Sequence, residues 1–243
     1  MSLDSARPDV AIRRLAMLSD AECRAIRDQV HALRPDWTAR DSRLPFHTLG
    51  SASYLDAPAG RFETYSAAAG RTNAILGEHF APLLDRLRAT LEPVLGGPVR
   101  HDPRLALPGF HVFLADPAFT RPVADVHYDL QFEHLDWSPH DPIEPRRQLS
   151  MTLAIRLPHA GAGLRVWDID RRHLDTLSAD ERSAHMQRNH TAKVHDYRTG
   201  ELALHSGYLL HQIEPARGYR EDDERITLQA HAMPAGDGWI LYW

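Results

Sequence analysis

The sequence has a single cysteine, Cys23, in 243 residues. No internal disulfide can form, and such cysteine usage suits a reducing cytoplasm, the expected location. No apolar run is long enough to span a bilayer, and Met1-Ser-Leu-Asp-Ser-Ala-Arg-Pro8 lacks the apolar centre of a signal peptide, so no membrane partner is expected. Positive charge is not in excess either. The formal net charge of −5 gives no broad basic field for nucleic acid, which is therefore not expected as a partner. Internal repeats, low-complexity tracts and linker-like stretches are absent as well, which favours one domain over residues 1–243. What the chain does have is an ordinary globular composition, 43% hydrophobic and 25% charged, and an unusual 16 histidines. So much imidazole raises the odds that some of it binds metal.

The two ends of the chain differ in character. Residues 1–97 read as mainly helical support. A first strand is expected over residues 9–17, carried by Val10, Ile12 and Leu15. Ser19-Asp-Ala-Glu22 is a capping box, after which Cys23, Ile26, Val30 and Leu33 fall at helical spacing until Pro35. Residues 43–57 read as strand and loop. Two more helices are expected between Phe62 and Leu95, the second with Pro82 in its opening turn and Gly96-Gly97 to stop it.

Residues 98–243 read as strands. Expected strands cover 109–115, 125–133, 148–157, 164–168, 193–198, 201–206, 209–213, 224–233 and 239–243, with a short helical insertion near 178–190 opened by the capping box Ser178-Ala-Asp-Glu181. The cleanest alternation runs from Leu149 to Leu157, and a second runs through β-forming residues 224–231. There Ile226, Leu228 and Ala230 share one face, while Arg225, Thr227, Gln229 and His231 share the other. Helices first and about eight strands afterwards give an α+β fold, the strands closing into a jelly-roll or cupin-like double sheet buttressed by the N-terminal helices. The proline-rich stretches 116–124 and 134–147 belong at the mouth of such a barrel.

The polar strand face becomes informative once it has a partner. His127 and Asp129 are two apart, so on a strand they share a face with roughly 6 to 7 Å between them. Two imidazoles and one carboxylate hold Fe(II) with coordination positions left open, and His211 is the candidate third ligand. The triplet has rivals. His134-Leu-Asp136 lies in a stretch that reads as loop, and His173-Leu-Asp175 leaves too few residues before His211 for the intervening strands. His205 competes with His211, but no Arg-x-Thr follows it at suitable spacing. Gln131 and Trp167 are candidates to face the same site or to pack behind it.

His127-x-Asp129, a long gap, His211, then Arg225-Ile-Thr227 resembles the motif of the Fe(II)/2-oxoglutarate-dependent oxygenases, in a layout most similar to the smaller prolyl-hydroxylase-type members. The resemblance covers nearly half the chain. It implies the double-stranded β-helix fold, with Fe(II), 2-oxoglutarate and O2 as cofactor and co-substrates. It also implies hydroxylation of an unactivated C–H bond with release of succinate and CO2. Arg225 would bind the distal carboxylate of 2-oxoglutarate with two parallel hydrogen bonds and Thr227 would add a third. Asp129 argues against the halogenating branch, where a small residue leaves room for halide. A small-molecule substrate is expected, with a peptidyl one open. Two other readings remain at this level: a cupin-type metalloenzyme that uses no 2-oxoglutarate, and a non-catalytic β-barrel binding module. The sequence says nothing about oligomeric state.

Overall fold

A computed structural model describes residues 12–57, 61–140 and 142–243. Val10 and the Met1–Pro8 segment lie outside the described residues. In chain order the strands are β1 (Arg13–Ala16), β2 (Thr38–Ala39), β3 (Phe46–Leu49), β4 (Val99–His101), β5 (Gly109–Leu114), β6 (Leu149–Arg156) and β7 (Leu164–Asp170). They continue with β8 (Lys193–His195), β9 (Glu201–Ser206), β10 (Leu209–Ile213), β11 (Glu224–Ala235) and β12 (Gly238–Tyr242). The helices are α1 (Asp20–Ala32), α2 (Ser53–Asp56), α3 (Phe62–Leu95), α4 (Arg171–Leu174) and α5 (Ala179–Arg188). No helix among the described residues is long and apolar enough to cross a membrane.

The strands form two sheets in an α+β arrangement. The larger has nine strands in the order β1-β9-β6-β11-β5-β3-β2, with β12 beside the C-terminal half of β11 and β4 beside β12. The smaller runs β10-β7-β8. All pairings are antiparallel except β4 with β12.

Alternation decides which face of the large sheet meets the helices. Ile226, Leu228 and Ala230 of β11 join Phe110 and Val112 of β5 and Met151, Leu153 and Ile155 of β6. Against them pack Val30 from α1, Leu33 at its C-terminal cap, and Leu76, Phe80, Leu83, Leu87 and Leu91 from α3. Each fully buried aliphatic side chain stabilises by about 1.5–3 kcal/mol, so this layer holds the sheet. Ser19 and Glu22 form the expected capping box of α1, and Ser178 and Glu181 that of α5. Glu224, at the start of β11, ties the sheet to α1 through an ion pair with Arg27 and a hydrogen bond with His31.

One local expectation holds and two need correction. Residues 62–95 run as two helical segments across a kink, as expected: Phe80 leaves helical geometry at φ −128°, and Pro82 lies in the opening turn of the second segment, where its missing N–H costs no bond. Gly96, at φ +72°, ends that segment. The stretch 43–57 closes on the short helix α2, which Asp56 fastens by accepting from the Ala52 N–H and from Arg40. Residues 125–133 do not make a strand. His127 exchanges backbone hydrogen bonds with His211 across a single bridge, Asp129 donates to the Gly207 carbonyl, and Gln131–His134 then coil into a 3₁₀ turn. The edge of β10 and the turn before it offer this segment backbone partners at two points, His211 and Gly207, too few for a continuous ladder.

Candidate metal centre

The inner face of the large sheet is polar where its outer face is apolar. It carries Arg225, Thr227, Gln229 and His231 from β11; β5 adds His111 and Phe113, β6 Ser150 and Thr152, and β9 His205. Opposite, the small sheet presents His211, and the bridged segment beside it presents His127 and Asp129. These three side chains offer ligand atoms that all lie within 4.8 Å of one another.

The hydrogen bonds fix what these atoms can do. His211 Nδ1 lies 2.8 Å from the Leu209 carbonyl and His127 Nδ1 lies 2.8 Å from the Asp125 carbonyl. A carbonyl only accepts, so each Nδ1 carries the proton and each Nε2 is left with a lone pair. Both Nε2 atoms point at Asp129, at 3.4 Å from Oδ2 and 3.7 Å from Oδ1. Lone-pair donors thus converge with no hydrogen between them. That arrangement needs a cation, and two imidazoles with one carboxylate suit Fe(II). Burial is graded across the site: the side chains of His211, Asp129 and His127 are 6, 13 and 42% exposed. Solvent therefore reaches the group from the His127 side, where further ligands can enter.

Charge within the site is biased in the same direction. Burial alone would raise the Asp129 carboxyl, but the surrounding imidazoles of His211, His231, His127 and His205 hold it well below the usual carboxylate range. Burial pushes His211 down to about 3 against the attraction of Asp129, and it also lowers His205 and His231. Neutral imidazole beside ionised carboxylate is the state that ligates metal.

Arg225 is the second feature. It is 6% exposed, and among the described residues no carboxylate pairs with it. Its guanidinium lies between the rings of Phe113 and Tyr197, 5.7 and 5.8 Å from their centroids, and burial lowers its pKa. Nη1 donates to Thr227 Oγ1 at 3.2 Å, and Nε approaches the Ala162 carbonyl at 3.5 Å. Ala162 reaches that position from a left-handed backbone, φ +59°, uncommon for a residue with a Cβ. Thr227 Oγ1 also accepts from Gln229 Nε2 at 2.8 Å. With its oxygen accepting twice, the Thr227 hydroxyl hydrogen is available to an incoming anion.

The other expected residues fall in different places. Gln131 is buried with its amide 2.8 Å from His231 Nε2, in a polar group that includes Gln148 and Ser150. Trp167 packs with Tyr128, Leu174 and Leu210, and its indole N–H donates to the His190 carbonyl. Val166 is its neighbour that pairs with His211, so Trp167 lies on the opposite face from the centre. His205 is inside, its ring 4.7 Å from that of His211. Asp136 pairs with Arg104, and Asp175 with Arg171, so neither competing triplet joins the group. Tyr54, His111 and Tyr197 were not singled out in the sequence. The Tyr54 hydroxyl lies 2.7 Å from His111 Nε2, on the same sheet face as Thr227. Only the alternation of residues 109–115 could have pointed to His111.

Solved structures resemble this arrangement over most of its length. An N-substituted L-amino acid dioxygenase from Burkholderia ambifaria AMMD, in complex with alpha-KG, superposes with a TM-score of 0.51 at 18% identity, covering 95% of this chain and 85% of that one. The non-heme alpha-ketoglutarate-dependent epimerase SnoN from nogalamycin biosynthesis gives 0.52 at 14% identity, over 93% and 82% of the two chains. The chain shares their fold. At these identities the likeness is one of architecture, and it covers both sheets and the helices outside them. No family model matches the sequence, and no curated protein matches it.

Proposed function

We propose that the protein is an Fe(II)- and 2-oxoglutarate-dependent oxygenase that hydroxylates an unactivated C–H bond and releases succinate and CO2. The observation that carries this reading is the buried Arg225, without a carboxylate partner among the described residues, on the sheet facing the His127–Asp129–His211 group. A buried guanidinium without an anion is costly, and a dicarboxylate held at its other end by the metal would relieve that cost. His127, Asp129 and His211 would hold the iron, which when bound supplies the activation of O2. Arg225 and Thr227 would take the distal carboxylate of 2-oxoglutarate, with Phe113 and Tyr197 excluding water around the pair.

The two facing sheets support a double-stranded β-helix as the finer description of the fold, and residues 1–243 one catalytic unit within it. The primary substrate is a small molecule on this reading: the two similar structures are named for an N-substituted L-amino acid dioxygenase and for an epimerase of nogalamycin biosynthesis. A cupin-type enzyme without 2-oxoglutarate would leave Arg225 unexplained, and a binding module would leave the converging lone pairs unexplained. The deciding experiment is anaerobic addition of 2-oxoglutarate to the iron-loaded protein. A metal-to-keto-acid charge-transfer band is expected, and its absence at saturating 2-oxoglutarate would overturn the proposal.

A further inference from the structure

A pocket open to solvent lies next to Arg225, outside the metal-binding group. Its walls are mainly apolar, with Phe113, Phe119, Val123, Ile213, Ala216 and Tyr219 among them. Ile213 is two residues beyond His211 on β10 and shares its face, so the cavity continues the interior of the site toward the surface. Of the two rings that enclose the Arg225 guanidinium, Phe113 lines the cavity and Tyr197 does not. The guanidinium therefore sits on the boundary between the two spaces.

The charges on the cavity wall are unbalanced. Four acids line it, and each is engaged elsewhere. Asp116 accepts from the Ala118 N–H, Asp223 holds His159, Glu214 accepts from the Gly163 N–H and pairs with Arg217, and Glu224 is tied to Arg27 and His31. Arg225 has no such partner among the described residues, and the exposed Arg121 lies on the wall as well. Thr227 and Ala162 occupy Nη1 and Nε of Arg225, whereas its Nη2 makes no hydrogen bond or ion pair among the described residues. An apolar chamber with a buried cation at its inner boundary matches one ligand chemistry: a carboxylate carried on a hydrophobic body.

We propose that this cavity binds a small monocarboxylate with a ring-sized apolar body, its carboxylate on Arg225 and its body against Phe113, Phe119 and Val123. The proposal rests on the reading of Arg225 as the anion-binding residue of the site. Two carboxylates cannot share one buried guanidinium without strong repulsion, so the cavity ligand competes with 2-oxoglutarate although it enters from another direction. A hydrophobic acid thereby becomes an inhibitor of co-substrate binding, reaching the shared arginine from behind.

The test uses 4-phenylbutyrate and its uncharged analogue 4-phenylbutan-1-ol, titrated by calorimetry into the metal-free full chain. Val123→Asp is the diagnostic variant. Val123 is exposed and outside the catalytic machinery, and an aspartate there sets a like charge on the cavity wall. Expected results are saturable binding of the acid, weaker binding of the alcohol by on the order of tenfold, and a similar loss for the acid in Val123→Asp. In the iron-loaded protein, 4-phenylbutyrate should raise the apparent Kd of 2-oxoglutarate in proportion to its concentration, and Val123→Asp should bind 2-oxoglutarate like the wild type. Equal affinity for acid and alcohol would remove Arg225 from the site and overturn the proposal. Unchanged acid binding in Val123→Asp would place the acid elsewhere and overturn it too, as would the absence of saturable binding of the acid. If 4-phenylbutyrate binds as expected but 2-oxoglutarate does not bind, the cavity stands and the co-substrate reading falls.

Discussion

Replacing Arg225 by alanine isolates the interaction on which the functional reading depends. The side chain is 6% exposed and has no acidic partner among the described residues, so a bound 2-oxoglutarate carboxylate would be both buried and paired with it. Removing one member of such a pair costs about 3 to 5 kcal/mol, because the other charge stays buried. At about 1.4 kcal/mol per tenfold change, 2-oxoglutarate affinity should fall by roughly a hundred- to several-thousand-fold. Arg225→Lys should recover only part, since an ammonium offers a point charge where two parallel donors are wanted. Without co-substrate the sign differs: the alanine variant loses an unpaired buried cation, so the ligand-free protein should not lose stability as the loaded one does. Anaerobic titration followed by the charge-transfer band gives the affinities, and thermal melts with and without 2-oxoglutarate give the second comparison. Wild-type affinity in Arg225→Ala would refute the reasoning, because the buried guanidinium would then serve something other than the co-substrate.

Other outcomes follow from the same geometry. Asp129→Ala should abolish stoichiometric iron binding, measured by anaerobic metal titration, whereas Asp136→Ala, which loses only its Arg104 pair, should retain it. Thr227→Val should weaken 2-oxoglutarate by about 1.5–3 kcal/mol with iron content unchanged, as expected for one hydrogen bond to a charged group. Asp102 is buried; burial would raise its carboxyl, but Arg104 and His140 outweigh that and lower it to about 2. A depressed folded-state pKa contributes stability that is present above the unfolded value near 4 and lost as pH falls toward 2, about 2 kcal/mol here. Denaturant melts of the wild type at pH 6 and pH 3 should show about half of that loss, roughly 1 kcal/mol, and Asp102→Asn should remove this part of the pH dependence. Gly109→Ala should destabilise by about 1–3 kcal/mol in the same assay, since its Cβ would overlap the buried Trp243 ring.

What could be read from the sequence was local. The alternation 224–231 is set by burial on one side of one strand, so it shows in the residues themselves. The capping boxes at Ser19 and Ser178 are equally self-contained. The strand assigned to residues 125–133 fails for the opposite reason: its partners lie some eighty residues on, at His211 in β10 and at Gly207 in the turn before it, two points that make no ladder. Spacing grouped His127 with Asp129, but it could not show that both Nε2 atoms aim at that carboxylate. Tyr197 and Tyr54 carry no motif, and only the folded chain sets Tyr197 on Arg225 and Tyr54 on His111. For Trp167 the sequence left facing the site and packing behind it both open, because one residue of register moves a side chain to the other face of a sheet, and the fold settles it as packing.

The position of β11 within the large sheet has a consequence for how the chain is made. Among the described residues, β11 is the strand that joins β5, with β3 and β2 behind it, to β6, with β9 and β1 behind it, and it also carries β12. Of the described strands all but β12 precede it in the chain, so they leave the ribosome first. Until residues 224–235 emerge, the half-built protein is two separate ribbons with open edges on β5 and β6, ready to pair with each other wrongly or with a neighbouring nascent chain. Synthesis stalled or truncated before that point would yield aggregation-prone fragments, and insertion of β11 would be the step that commits the molecule to its native topology.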